Sequence, residues 1–100
     1  MYELRYLEQA KTDLLRIKRY IAKESGSNDV ALQYTKKLRQ QCQKLAELPG
    51  TMGRARPELM EGVRSFPHGN YVILFRYIDS VLEIISIIEG HRDIEELFRQ

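Results

Sequence analysis

Two different spacings of apolar residues divide the first part of the chain. In residues 2–7, Tyr2, Leu4 and Tyr6 alternate with charged residues, which predicts a short strand with one apolar face. The spacing then becomes helical, and one stripe carries Ala10, Leu14, Ile17 and Ile21. We expect this helix to end near Glu24, where a segment rich in Gly and Ser begins.

A second helix is predicted directly after that turn. Ser27 or Asn28 is a suitable N-cap, and Asp29 is favourable in the first turn. The apolar stripe of this helix consists of Ala31, Tyr34, Leu38, Cys42, Leu45 and Leu48. Pro49-Gly50 ends the helix, since proline cannot continue the hydrogen-bond ladder. Two helices joined by so short a connection are expected to pack as an antiparallel hairpin.

The rest of the chain is predicted to be mostly β-structure. Residues 49–61 form a loop, and loops of this length in a compact domain are often functional. Three strands follow, at Val63–Phe66, Tyr71–Tyr77 and Val81–Glu89, separated by turns at 67–70 and 78–80. A short terminal turn is expected at Ile94–Phe98. The last two strands are apolar on both faces, which is typical of central strands covered on both sides.

These elements predict an α+β fold in the order β-α-α-β-β-β, as a single domain over residues 1–100. The first strand has to reach the other three across the helical hairpin. We expect a twisted, mainly antiparallel four-stranded sheet with the N-terminal strand and the hairpin on one face. The other face would be only partly covered, with some shielding from the C-terminal turn.

Composition narrows the class of protein. The net charge of +2, from 16 basic and 14 acidic residues, argues against a strong polyanion binder but leaves room for a local basic patch. The charge is segregated, because residues 1–50 hold 10 basic and 6 acidic residues, and lysine is absent from residues 51–100. The single cysteine excludes an internal disulfide framework and fits a reducing cytoplasmic location. No apolar run is long enough to span a membrane, and the N-terminus does not resemble a secretory signal.

The nucleophiles, histidines and carboxylates of the sequence do not form a recognisable reactive site. Cys42 lies on the core stripe of the second helix, which predicts a buried, inert thiol rather than a nucleophile. Glu89, His91 and Asp93 alternate, but Gly90 interrupts the strand that would align them, so no metal site is expected. Glu95-Glu96 is interpreted as a solvated helix face. The sequence therefore predicts no cofactor and no metal.

Arginine and histidine residues in the second half are the remaining candidates for function. They are Arg54, Arg56, Arg64, His68, Arg76, His91 and Arg92. One hypothesis is that these residues converge on the exposed face of the sheet. Arg64 and Arg76 lie within otherwise apolar strands, where a charge has to be paired or placed at a rim. One interpretation is a salt bridge to Glu58, Glu61, Asp79 or Glu83. The other is contact with a phosphate backbone or an acidic protein surface.

The order of elements and a series of short motifs resemble the ParE-type toxins of the RelE/ParE toxin–antitoxin superfamily. The motifs are Gly53-Arg54-Ala55-Arg56-Pro57-Glu58-Leu59, Gly62-Val63-Arg64-Ser65, Gly69-Asn70-Tyr71 through Arg76, Ile84–Ile88, Gly90-His91-Arg92-Asp93 and Leu97-Phe98. The resemblance implies a type II toxin that poisons DNA gyrase by binding and is not an enzyme. The seven arginine and histidine candidates would then bind the target. The alternative is a RelE-like, ribosome-dependent mRNA endonuclease, in which Arg64, Arg76 and His91 would be catalytic.

Details of the motifs favour the ParE branch over the nuclease branch. Val72 follows Tyr71 where mRNA-cleaving relatives often carry arginine, and the terminal aromatic residue is Phe98, which has no ionisable proton. Cleavage of RNA by its own 2′-hydroxyl requires a base, an acid and cations that stabilise the phosphate. Two other details depart from the family pattern. Glu89 stands where family members often carry His, and Pro67-His68 enters a turn where small apolar residues are common.

The resemblance also implies a partner, a small ParD-like antitoxin whose acidic tail folds on the toxin in a hetero-oligomer. A chain of this size leaves apolar surface uncovered, and a tail can add as a strand or as an amphipathic helix. The basic outer face of the hairpin is expected to attract it. Candidate antitoxin contacts are Leu14, Arg16, Lys18, Lys36, Lys37, Tyr71, Ile73 and Phe75.

Overall fold

The computed structural model describes residues 1–90. Its elements are β1 (Glu3–Tyr6), α1 (Glu8–Ser25), α2 (Asn28–Glu47), β2 (Arg54–Ala55), β3 (Arg64–His68), β4 (Tyr71–Ile78) and β5 (Val81–Glu89). The predicted α+β class and order of elements are confirmed. The predicted terminal turn at Ile94–Phe98, with Glu95 and Glu96, lies outside the described residues.

The helix ends follow from their capping residues. The Ser27 side chain accepts a hydrogen bond from the Val30 backbone N–H at 3.2 Å, so it is the N-cap of α2. Helix α1 ends at Gly26, which adopts a left-handed conformation with φ of 70°. This short connection sets the two helices side by side as the predicted hairpin.

The sheet has five strands in the order β1-β5-β4-β3-β2. Strand β1 pairs with β5 in parallel, and the other pairs are antiparallel. The predicted count of four strands is therefore corrected to five. The extra strand, β2, has two residues, which pair with Ser65 and Arg64. A strand this short leaves no alternating pattern in the sequence, so residues 49–61 were predicted as loop throughout.

The two faces of the sheet are covered differently. One face, here called the hairpin face, packs Ile73 and Phe75 of β4 against the helices, and both side chains are fully buried. The opposite face, here called the outer face, carries Val72 and Leu74 in a smaller apolar cluster. That cluster also includes Val63 and Ile88, with Leu59 and Ile85 packed against it. The prediction that β4 and β5 are central strands is confirmed by the strand order.

A buried carboxylate fixes α1 to β5. Asp13 is only 1% exposed, and its Oδ2 accepts hydrogen bonds from the Ser86 hydroxyl at 2.5 Å and the Ile87 N–H at 2.9 Å. Its Oδ1 lies 2.9 Å from the Gln9 amide nitrogen and 3.0 Å from the Arg16 guanidinium. The pairing of β4 with β5 shifts register next to this contact, between Leu74 and Phe75. Four donors thus satisfy a charge that would otherwise be costly to bury.

Candidate functional site

The pairing register separates the predicted target-binding residues onto different faces. Arg54 pairs with Ser65, which in turn pairs with Leu74, so these positions lie on the outer face. Arg64 pairs with Phe75, and His68 pairs with Tyr71, so both lie on the hairpin face. Side chains that alternate along a strand point to opposite faces. The expected convergence of all these residues on one face therefore does not occur among residues 1–90.

Arg64 binds the backbone of the loop that precedes β2. Its Nε donates to the Met52 carbonyl at 2.7 Å, and one terminal nitrogen donates to the Gly53 carbonyl at 3.0 Å. The planar fork of the guanidinium suits two neighbouring acceptors. This arrangement matches neither sequence-based interpretation of Arg64, since its partners are carbonyl oxygens rather than a carboxylate or an external phosphate.

Tyr77 holds the same loop through a second set of hydrogen bonds, a role that no pattern in the sequence indicates. Its hydroxyl accepts a hydrogen bond from the Met52 N–H at 3.1 Å and donates to the Leu45 carbonyl near the end of α2, at 3.3 Å. Gly53, with φ of 76°, lies so close to β3 that a Cβ atom there would be 2.6 Å from the Ser65 carbonyl oxygen. The start of β2 is therefore held by three groups: Arg64, Tyr77 and the close approach at Gly53.

Arg54 and Arg56 lie on either side of Ala55 in and after β2, but their surroundings differ. The Nε of Arg56 lies 2.6 Å from Glu58, and a terminal nitrogen lies 3.4 Å from the Ser65 hydroxyl. The hydrogen bond from Arg56 lowers the pKa of Glu58. The Arg54 side chain is exposed and forms no hydrogen bond or ion pair within residues 1–90, although its charge also helps to lower the pKa of Glu58. Of these two arginines, Arg54 is thus the one whose side chain is available to bind another molecule.

Arg76 is engaged within the sheet. It lies on the outer face of β4, opposite Glu83 of β5, and the Nε–Oε1 distance is 2.9 Å. The interpretation of Arg76 as a salt-bridge partner of Glu83 is confirmed. Arg5 of β1 is the next residue in the same row, since it pairs with Glu83 in the parallel register.

The two predicted histidines have different outcomes. His68 is half-buried, and its ring packs edge-on against Tyr34 of α2 with centroids 5.9 Å apart. Tyr34 also contacts Tyr71, again at 5.9 Å. Burial raises the pKa of both tyrosines, so their hydroxyls are protonated packing groups at neutral pH. His91 and Arg92 lie outside the described residues, as does Asp93.

The candidate antitoxin contacts separate into surface and core residues. Arg16, Lys36 and Lys37 are exposed, and Lys18 is partly exposed, so these four lie on the accessible surface of the hairpin. The other four are buried in the core: Leu14, Tyr71, Ile73 and Phe75. Direct contact between a partner and these core side chains would require the hairpin to separate from the sheet. Part of Tyr71 lines a cleft of about 130 Å³, together with Arg16 and Tyr20.

The described residues also show how the remaining reactive groups are placed. Cys42 is completely buried, and burial raises the pKa of its thiol to about 11, which agrees with the prediction of an inert core cysteine. Burial also raises the pKa of the neighbouring Tyr6 hydroxyl. Within residues 1–90, no three His, Cys, Asp or Glu side chains group closely enough to hold a metal ion. Over the same residues, neither helix is long and apolar enough to cross a membrane.

The fold of this chain is shared with a protein of known structure. The chain is similar to a solved structure described as the chromosomal ParDE toxin–antitoxin system from P. aeruginosa, with 22% sequence identity and a TM-score of 0.77. The match covers 91% of this chain and 98% of the other, and at this identity it shows a shared fold. No curated protein sequence matches this chain.

The sequence itself defines the family more narrowly. The family described as "ParE toxin of type II toxin-antitoxin system, parDE" matches residues 4–94. The chain therefore belongs to the ParE toxin family of type II toxin–antitoxin systems.

Proposed function

We propose that this ParE-family toxin poisons DNA gyrase by binding it, and that it is not an enzyme. The observation that carries the proposal is the separation of Arg64 from Arg76. The endonuclease alternative needs these two residues, with His91, around one phosphate, but they lie on opposite faces of the sheet. Each is also engaged by its own neighbours, Arg64 by two carbonyls and Arg76 by Glu83. A binding mode that uses the uncommitted Arg54 agrees better with this geometry.

The proposal includes neutralisation by a small antitoxin with an acidic tail. The exposed basic residues of the hairpin support it, because α1 and α2 present Arg16, Lys18, Lys36 and Lys37 on the accessible surface. Exposed apolar side chains lie among them: Leu15 (52% exposed), Tyr20 (52%), Val30 (49%) and Leu32 (50%). A tail that folds as an amphipathic helix would cover such side chains and pair its carboxylates with the basic residues.

A supercoiling assay with purified gyrase tests the proposal. The toxin is expected to inhibit supercoiling and to cause cleaved DNA to accumulate, and the antitoxin encoded beside it should reverse both effects. Gyrase that supercoils normally at a large molar excess of a folded toxin would contradict the proposal. Primer extension on translated mRNA is the second measurement, since toxin-dependent cuts that disappear in Arg64→Ala or Arg76→Ala would establish the endonuclease instead.

A further inference from the structure

A cleft lies at the sheet edge where β2 stops short. Strand β2 pairs only with Arg64 and Ser65, so the next two residues of β3, Phe66 and Pro67, form the edge of the sheet themselves. The cleft has a volume of about 420 Å³. Its lining residues are Gly53, Arg54, Arg56, Ser65, Phe66 and Pro67. Pro67 has no backbone N–H, so this edge is a poor template for adding another strand, and recognition here has to use side chains.

The walls of the cleft combine an apolar surface with one available cation. Pro67 supplies apolar surface on the outer face, the face that also carries Arg54. Phe66 lies on the hairpin face, where it packs partly against the core, and it borders the cleft at the edge of the sheet. Ser65 supplies a hydroxyl group. Arg56 is paired with Glu58 and bonded to Ser65, whereas Arg54 has no partner within the described part of the chain. Such a site suits a ligand that places one anionic group beside an apolar group.

The charge around the cleft argues against a nucleic acid as that ligand. Residues 51–90 contain four arginines and no lysine, against five Asp and Glu residues, so this half of the structure has a net charge of −1. Three of the four arginines are engaged within the protein: Arg56, Arg64 and Arg76. Binding to a phosphate backbone relies on several cations that neutralise successive phosphates. One free arginine in a slightly acidic surrounding fits a protein carboxylate better.

We infer that this cleft receives a segment of the target protein in which a carboxylate side chain lies next to an apolar side chain. The carboxylate pairs with Arg54, and the apolar side chain packs on Pro67 and reaches the partly exposed Phe66 at the edge of the sheet. This inference rests on the proposed function, in which the target is gyrase. The cleft is formed before binding, because Arg64, Tyr77 and the close approach at Gly53 fix the segment that carries Arg54. A site fixed in advance loses less conformational entropy on binding.

The test measures binding of the full-length toxin to the gyrase holoenzyme in the absence of DNA. Arg54→Ala is expected to weaken binding by about tenfold, as for loss of one interface charge pair, and Arg54→Glu by more because two carboxylates then repel. The matched control is Arg5→Ala. Arg5 is also on the outer face, but it lies on β1 at the opposite edge of the sheet. Its removal should leave the affinity unchanged, and thermal unfolding verifies that all variants are folded.

Salt dependence separates a protein ligand from a phosphate ligand. If binding depends on a single carboxylate contact, raising the salt concentration from 50 to 200 mM should weaken it only severalfold. Binding through 6–10 phosphate contacts would weaken by about 10³–10⁵-fold over the same range. Equal affinity of the wild type and Arg54→Ala would overturn the inference, as would binding that requires DNA and falls steeply with salt. A wild-type toxin that neither binds nor inhibits gyrase contradicts the proposed function itself, so the two failures are distinguishable.

Discussion

Asp13 and Arg64 perform similar tasks in two contrasting regions of the molecule. Each is a charged side chain that binds backbone groups of a distant segment, Asp13 from α1 to β5 and Arg64 from β3 to the loop before β2. Asp13 is enclosed, with 1% of its surface exposed, whereas Arg64 is half-buried at the rim of the sheet. Water can replace the partners of a rim group but cannot replace those of an enclosed group. We therefore expect Asp13 to contribute more than Arg64 to the free energy of unfolding. The main role of Arg64 is to position the proposed binding edge.

Asp13→Ala should produce the largest loss of stability. The substitution leaves the Ser86 hydroxyl and the Ile87 N–H buried without their acceptor, at a combined cost of about 3 kcal/mol. Urea unfolding measures this loss. Asp13→Asn is the matched control, since it keeps one acceptor oxygen and should cost less. A loss below about 1 kcal/mol for Asp13→Ala would remove the distinction between the two regions.

Gly53→Ala tests the close approach that accompanies Arg64. The new Cβ would meet the Ser65 carbonyl oxygen at 2.6 Å and the Phe75 ring at 2.7 Å. We expect a loss of about 2 kcal/mol in unfolding free energy, from steric overlap and the positive φ together. Gly50→Ala is a close control, because Gly50 has the same φ of 76° but no atom within 4 Å of the added group. If both substitutions cost the same, the close approach contributes nothing.

Arg64→Ala should affect binding more than stability. Loss of its two backbone hydrogen bonds at a half-exposed site should cost about 1–2 kcal/mol of unfolding free energy. Inhibition of gyrase should fall by as much as in Arg54→Ala, because the segment that carries Arg54 is released. Amide hydrogen exchange of residues 50–56 should accelerate in Arg64→Ala but not in Arg54→Ala. Unchanged exchange would show that Arg64 does not position this segment.

Cys42 is buried like Asp13, but its thiol is neutral, so it should affect stability only at high pH. Burial raises the pKa of its thiol to about 11 in the folded protein. The unfolded chain therefore loses this proton at lower pH than the folded protein, and the free energy of unfolding falls as pH rises from the unfolded pKa towards the folded pKa. Between pH 8 and pH 10 this group should lower the unfolding free energy by about 1 kcal/mol. Cys42→Ala should remove that part of the pH dependence. An identical pH dependence in the variant would show that the thiol does not contribute.

Arg76→Ala should have the smallest effect. The ion pair with Glu83 is partly buried on the outer face, with 35% and 15% of the two side chains exposed, and a pair that solvent still reaches contributes less than about 1 kcal/mol. Gyrase inhibition should remain at the wild-type level, because Arg76 is already paired and lies away from the cleft. Glu83→Ala is the matched control, and similar small losses are expected for both. Loss of inhibition in Arg76→Ala alone would place the target on the centre of the outer face.

Most of the fold was predictable because its signals are local. The apolar stripes of α1 and α2, the turn after Ser25 and the two-sided apolar strands β4 and β5 are visible at short range in the sequence. The register was not predictable, and the register decides that Arg64 and Arg76 face opposite ways. Asp13 did give a signal, since it is an acidic residue on the same helical face as Ala10 and Ile17. Its partners were not predictable, because Ser86 and Ile87 lie on the last described strand.

The parallel pairing of β1 with β5 has a consequence for the order of events during synthesis. Among residues 1–90, the first strand pairs only with β5. The Asp13 side chain can bind Ser86 only after the chain has been extended by a further 73 residues. A nascent chain that has not yet emerged as far as β5 can form the helical hairpin but cannot close the sheet. Loop-closure entropy makes such long-range contacts late and cooperative. Ribosome-bound chains arrested before Val81 should therefore be protease-sensitive and unable to bind the target, so that toxicity arises only after the fifth strand is delivered.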